Sequence, residues 1–325
     1  MRIQEAHPAA WERIARAAGG ALASIDGRSA IRPCSIEGAR RAVAAAIEEG
    51  LRIGADVELD RSDLRQIGLV DRHAMWIPAG AGAIVADVEA ALRRVGLTLG
   101  AQPPAVLAGT VGAWLEGPFA GRRAMDGRLE SGVAAVQAVL RDGTPWDGRA
   151  APRTAAGPGV AHLLLGGGAR CGWILAATLK AQRLPPTTSW VAFSGPPDAL
   201  ARLLRGALHG VHAPLEARLL GPRRLELRLA SDREDERAAI HRLRRTAAAA
   251  GLAIELPRVP PCEGAAEEIA TSALVARIEG LGSEEPLGLV RLAQESCVAV
   301  GRRVGAAPAS HAALLARIAA HLEPR

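Results

Sequence analysis

Hydrophobic residues recur at helical spacing in two early segments of the chain. Ile36, Ala39, Val43 and Ile47 share one face of a helix that Ser35 can cap and Gly50 ends. Ile84, Val88, Ala91, Leu92 and Val95 form a second such face, closed by Gly96. A helix is also predicted over residues 8–18, up to the Gly19-Gly20 break, and a short one over 158–165. Strands are predicted at 30–32, 74–79, 133–140 and 173–180, with a turn at Asp142-Gly143. The alternation is irregular and carries hairpin signals, which suits an α+β domain better than a repeated parallel βαβ array.

From residue 189 the pattern is tidier. Strand 189–193 leads to helix 198–208, with Leu200, Leu203, Leu204 and Leu208 on one side. Strand 215–219 precedes 224–229, where Leu225, Leu227 and Leu229 alternate with Arg224, Glu226 and Arg228. Ser231 and Glu234 form a capping box for a helix reaching Ala250, and 252–256 is a last strand. The order βαββαβ is the ferredoxin-like arrangement. Four segments follow: an N-terminal helical segment 1–27, an α+β domain 28–186 ending near Pro185-Pro186, a ferredoxin-like domain 187–260, and a tail 261–325 whose Ala/Leu-rich stretches, such as 310–322, are predicted helical.

Composition narrows the function. With 49% hydrophobic and 23% charged residues over 325 positions, a packed core is expected rather than disorder. No apolar run approaches the ~18 residues of a membrane span, and the charged N-terminal stretch lacks a signal-peptide core. The net charge of +6 comes from arginines interspersed with acids, Lys180 being the sole lysine. Tyr is absent and Phe occurs twice, so platforms for stacking bases are scarce and nucleic acid is not the expected partner. Cys34, Cys171, Cys262 and Cys297 are far apart, signalling neither zinc nor a disulfide framework, and a cytoplasmic setting is expected. His73, His162, His209 and His212 lack metal or triad spacing.

The stretch LTLGAQPPAVLAGTVGAWLEGP, residues 97–118, combines Pro103-Pro104 and Gly109-Thr110-Val111-Gly112 with almost no charge. A loop laying its main chain against a large, partly apolar ligand has this composition, and so does a Gly-rich buried crossing. GGGARCG, residues 166–172, is likewise either a ligand-contacting turn or a helix-to-strand turn that requires φ > 0.

The segments GLTLGAQPP, GTVGAWLEGPFAGRRAMDG, DGT, APRTAAGP and LLLGGGARCGWILAATLKAQRLP come in the order found in FAD-binding oxidases of the vanillyl-alcohol-oxidase superfamily. Residues 28–186 resemble the shared PCMH-type module of that superfamily, in particular that of the glycolate oxidase FAD-binding subunit and of alkylglycerone-phosphate-synthase-like flavoenzymes. The resemblance implies FAD, a ferredoxin-like cap after the FAD domain, and contacts to the flavin and its pyrophosphate from Pro104, Gly109, Thr110, Val111 and Gly112. Glycines there would let oriented amides approach an anion. Gly121, Arg122, Arg123 and Gly127 match the next segment of the pattern, Arg122-Arg123 being either a phosphate clamp or a solvated pair. Gly172 and Ile174 match a turn whose backbone meets the adenine side.

The chain departs from the pattern in several places. The family's Gly-rich loop after the first helix is reduced to LRIGADVELDRSDL, with only Gly54, and Asp56, Glu58 and Asp60 bring negative charge where a diphosphate would sit. Like charges 4 Å apart repel by about 1 kcal/mol in water and by more where solvent is excluded. Ala113 replaces the second glycine of the Thr-x-Gly-Gly turn, Ala169-Arg170-Cys171-Gly172 replaces Gly-Thr-Leu-Gly, and Pro158-Gly159 replaces a Tyr-Asp pair. Two functions remain open. The first is an FAD-dependent oxidoreductase, or its flavin subunit, taking hydride from a small 2-hydroxy acid or alcohol. The second is a degenerate module without cofactor that serves as a binding or assembly partner in an oxidoreductase complex.

Overall fold

The computed structural model describes residues 8–25, 28–100, 102, 104–117, 132–150, 161–208, 214–219, 223–230, 234–255, 287–291 and 298–302. It is a mixed α/β architecture with several sheets. Helix α1 (Pro8–Ala18) leads into an antiparallel hairpin, β1 (Ala21–Ile25) and β2 (Arg28–Arg32). Helix α2 (Ile36–Glu48) then crosses over to β3 (Glu58–Leu59), which pairs in parallel with β2. Ser35 caps α2 as expected, its hydroxyl accepting from the Gly38 N–H at 3.0 Å. The buried face is Gly38, Ala39, Ala42, Val43 and Ala46, with Ile36 and Ile47 only partly covered. That rotation from the predicted stripe has a steric cause: a Cβ at residue 38 would lie 2.2 Å from the Ala18 carbonyl oxygen, so α1 sits directly on the small-residue face.

The second sheet contains β4 (Trp76–Gly80), β6 (Val133–Leu140), β7 (Pro145–Asp147) and β8 (Gly172–Lys180), ordered β4-β8-β6-β7 and antiparallel throughout. Strand β8 is buried on both faces. Trp173 and Leu175 pack toward α1 and α2, and Ile174, Ala177 and Leu179 toward α3 (Val85–Arg93). This double burial explains why 173–180 reads as a continuous apolar run. A small ribbon, β5 (Leu97–Thr98) with β9 (Gln182–Arg183), closes the domain.

Of the two readings open for 97–118, the described residues show a buried crossing: they form β5 and two short helices, α4 (Pro104–Ala108) and α5 (Val111–Glu116). Thr110 caps α5, its hydroxyl accepting from the Ala113 N–H at 3.3 Å, and Val111, Trp114 and Leu115 enter the core. The run is apolar because it is inside. Helix α6 (Ala161–Leu164) ends in a turn where Gly166, Gly168 and Ala169 all adopt positive φ, the conformational reason for the GGGARCG composition.

The remaining elements are β10 (Thr188–Ser194), α7 (Pro197–Leu208), β11 (Glu216–Leu219), β12 (Arg224–Ala230), α8 (Glu234–Ala249), β13 (Ala253–Glu255), β14 (Leu287–Arg291) and β15 (Val298–Arg302). Their antiparallel sheet runs β13-β10-β12-β11-β15-β14. Leu225, Leu227 and Leu229 face a core shared with Leu200, Leu203 and Leu204 of α7. Glu226, on the face opposite the leucines, is nevertheless fully buried and accepts from Arg224 at 3.0 Å. Within 261–325, expected to be helical, the described residues form the β14–β15 hairpin, and 310–322 lies outside the described residues. No helix among the described residues is long and apolar enough to cross a membrane, and no group of three metal-ligating side chains occurs among them.

Candidate functional site

A cavity of about 440 Å³ opens where the β1–β3 sheet meets the β4–α3 turn and the cap of α5. This is within the roughly 300–1,000 Å³ of small-molecule sites. Ile25, Leu59, Ala81 and Gly82 give it apolar and backbone surface, Ser62 and Thr110 supply hydroxyls, and Arg28, Arg61, Glu58 and Asp60 supply charge.

The chain reaches this arrangement by shortening. After α2, Arg52 to Val57 fold into a tight turn in which the Arg52 carbonyl accepts from the Ala55 and Asp56 N–H groups, at 3.2 and 2.8 Å. The acids of the region each meet an arginine. Asp56 pairs with Arg52 at 3.1 Å, Glu58 with Arg28 at 2.9 Å and Asp60 with Arg32 at 2.5 Å. The expected uncompensated negative charge is therefore absent. The Arg52 hydrogen bonds hold the Asp56 carboxyl below the ordinary carboxylate range. Burial pushes Asp60 upward, but the Ser62 N–H and the Arg32 guanidinium outweigh it and leave the group lowered.

The strongest polar feature on the wall is one that the sequence reading missed. Arg61 and Glu116 form a bidentate pair, Nη1 to Oε1 and Nη2 to Oε2, the latter at 2.8 Å. Both side chains are largely buried, 18% and 9% exposed. The pair also brackets one residue of β8. Arg61 Nη1 donates to the Ile174 carbonyl at 2.8 Å, and Glu116 Oε1 accepts from the Ile174 N–H at 2.8 Å. A visible signal was the lone acid, Glu116, in the otherwise uncharged run 97–118. Its partners lie 55 and 58 residues away, which no local pattern reveals.

The structure places the other candidates as follows. Thr110 lines the cavity. The amides of Gly109, Val111 and Gly112 donate within the chain, to Val106, Ala83 and Ala81 carbonyls at 3.1, 2.8 and 2.8 Å. The turn therefore offers small-residue surface rather than the bared donors expected of it. A Cβ on Gly112 would lie 3.5 Å from Arg61 Cζ, so this glycine backs the ion pair. A Cβ on Gly172 would lie 2.4 Å from the Val139 carbonyl oxygen, so that glycine serves the β6–β8 contact. Pro104 opens α4. Gly121, Arg122, Arg123 and Gly127 lie outside the described residues.

Residues 33–148 match the family described as FAD binding domain. The Escherichia coli K12 protein named "Uncharacterized FAD-linked oxidoreductase YgcU" is 35% identical over 158 residues, spanning 46% of this chain and 32% of that protein. Alkyldihydroxyacetonephosphate synthase of Caenorhabditis elegans is 25% identical over 143 residues, 44% of this chain and 24% of that one. The chain thus spans about a third or less of the length of these curated relatives. Among solved structures, an alkyldihydroxyacetonephosphate synthase superposes with a TM-score of 0.64 at 13% identity, covering 91% of this chain and 74% of its own. A glucooligosaccharide oxidase from Acremonium strictum gives 0.52 at 14% identity, covering 84% and 59%. At these identities the likeness is one of fold, and it agrees with the PCMH-type architecture.

FAD is the cofactor of this domain family. The cavity offers an apolar wall at Leu59 and Ala81, backbone at Gly82 and hydroxyls at Ser62 and Thr110 that suit a flavin ring, while its guanidinium groups, Arg28 and Arg61, are paired with Glu58 and Glu116, and Asp60 also lines it. The backbone edge at Ile174 is engaged by the chain's own side chains.

Proposed function

We propose that the chain, whose residues 33–148 match the family described as FAD binding domain, is an FAD-dependent oxidoreductase, or the flavin-carrying part of one, acting on a small 2-hydroxy acid or alcohol. The observation that carries this reading is the cavity at Thr110 and Gly82, beside the turn that resembles the flavin-contacting segment. Bound FAD would supply the hydride acceptor. The chain's residues would hold it: Thr110, Ser62 and Gly82 against the ring system and Arg28 and Arg61 toward phosphate charge, with Gly109, Val111 and Gly112 in the turn beside Thr110. Val111, Trp114 and Leu115, which follow Thr110 in the chain, are buried in the core.

In the same reading, residues 187–260 are a ferredoxin-like cap domain, supported by the strand order β13-β10-β12-β11 with α7 and α8 in the crossovers. The 35% identity to an FAD-linked oxidoreductase supports the cofactor-bearing reading over a cofactor-free module.

The test is spectroscopic. Full-length protein, as purified or after incubation with FAD and desalting, should show the visible flavin absorption band in near-stoichiometric amount. Gly112→Asp should lose the band, because the new carboxylate would be built against Ala81 and Arg61, while the β10–β13 half stays folded. Well-folded wild-type protein that never retains flavin would overturn the proposal.

A further inference from the structure

Strands β2 and β3 run parallel with Ala30 opposite Glu58, so Arg28, two residues earlier on the same face of β2, reaches Glu58 across the ladder. Arg28 Nη1 donates to Glu58 Oε1 at 2.9 Å, and both residues line the cavity. The second guanidinium of the wall, Arg61, gives both Nη atoms to Glu116 and one of them also to the Ile174 carbonyl. Asp60, the other lining acid, is held by Arg32 and by the Ser62 N–H. A phosphate entering this cavity must therefore take its guanidinium from a carboxylate. The two pairs differ in what release costs. Glu116 is 9% exposed, and turning Arg61 away would leave that charge buried without a cation. Arg28 and Glu58 are 66% and 36% exposed, so each is hydrated once they part, and a pair of this kind is weak. Arg28 is thus the cation a phosphate recruits, and Glu58 is the competitor for it.

We propose that Glu58 is a specificity-determining residue of this cavity: by holding Arg28 it suppresses the contribution of a flavin phosphate, so that the site selects its ligand by the ring system rather than by the phosphate. This rests on the FAD reading above and concerns which part of the flavin the site recognises. With Glu58 in place, a phosphate gains a charge-assisted hydrogen bond from Arg28 only by breaking one of the same kind. It then sits beside the displaced carboxylate, and like charges a few ångströms apart repel. The net gain is small. The ring needs neither group, because Leu59, Ala81, Gly82 and the hydroxyls of Ser62 and Thr110 meet it.

The probes are riboflavin and FMN, which differ by the phosphate alone, with FAD alongside. All three are titrated by flavin fluorescence into full-length wild type, Glu58→Gln, Arg28→Gln and the double variant Arg28→Gln/Glu58→Gln. The quantity read is each protein's FMN affinity divided by its riboflavin affinity, which cancels what a substitution does to binding of the shared ring and ribityl chain. Wild type should bind FMN within about threefold of riboflavin, and Glu58→Gln should raise the ratio about tenfold, the worth of one charge-assisted hydrogen bond. Arg28→Gln should leave the ratio at or below the wild-type value, and adding Glu58→Gln to it should restore nothing, because Glu58 acts through Arg28. A folded Glu58→Gln with an unchanged ratio overturns the proposal. So does a rise that persists in full without Arg28, which would make Glu58 a source of repulsion rather than a competitor. Wild type that prefers FMN by about a hundredfold, or that binds FAD and neither smaller flavin, also overturns it; all of these outcomes leave the FAD reading standing. If Glu58→Gln does not fold, the wild-type ratio decides. Binding of none of the three flavins by any of the proteins overturns the FAD reading and the role of Glu58 together.

Discussion

Gly82→Ala would place a methyl carbon 2.3 Å from the Arg61 carbonyl oxygen and 2.8 Å from that of Ser62. Both obstacles are backbone, so no rotamer change relieves them. Restoring ordinary van der Waals separation requires about 1 Å of main-chain movement in the segment carrying Arg61 and Ser62. Overpacking of this kind costs about 1–3 kcal/mol. Moving Arg61 also stretches its hydrogen bonds to Glu116 and Ile174, adding about 1 kcal/mol. The expected destabilisation is about 2–4 kcal/mol, and at about 2–4 °C per kcal/mol for a unit of 150–250 residues the first thermal transition should fall by roughly 4–16 °C. Thermal unfolding followed by circular dichroism measures this, with a flavin titration on the same samples, and flavin affinity should fall because the cavity wall moves. A transition within 1 °C of wild type and an unchanged titration would refute the placement of the 61–62 main chain against Gly82.

A contrasting glycine checks the logic: Gly206, inside α7 with nothing near its Cβ position, should accept alanine with a gain of about 0.5–1 kcal/mol in denaturant unfolding. Glu89 is buried and accepts from Thr98 Oγ1 at 2.6 Å, Leu99 N–H at 2.7 Å and Arg93 Nε at 2.6 Å. Glu89→Ala should cost about 2–4 kcal/mol through the orphaned Leu99 amide, and Glu89→Gln distinctly less; equal losses would show that the hydrogen bonds are not the cause. Asp60 has a folded pKa below its ordinary value, so its stabilisation is present above the unfolded pKa and is lost as pH falls through the folded one. Asp60→Asn should therefore lower stability at neutral pH by about 1–2 kcal/mol and flatten the acid side of the stability-versus-pH curve; a parallel curve would refute this.

Much of the fold was legible because its signals are local. The 3.6-residue stripe and Ser35 cap announced α2, alternation in 224–229 announced β12, and punctuating glycines marked the ends of α2, α3 and α8. Glu226 shows the limit, since a period-two pattern assigns a side chain to a face but not what covers that face. The stretch 97–118 stayed open for a related reason: an uncharged, Gly/Pro-bearing run is compatible with a ligand-hugging loop or a buried crossing, and only the packing of Trp114 and Leu115 into the core decides.

The sequence by itself determined that residues 28–186 resemble a flavin module, that its Gly-rich loop is reduced to a short turn, and that a βαββαβ pattern follows. Those are properties of order and spacing along the chain, and they survive without coordinates. The tertiary structure alone decided where the charges go. Asp56, Glu58 and Asp60 are each matched by an arginine, and Arg61 meets Glu116 across 55 residues of chain. Ion pairing depends on which side chains a fold brings within a few ångströms, and sequence separation says nothing about that distance.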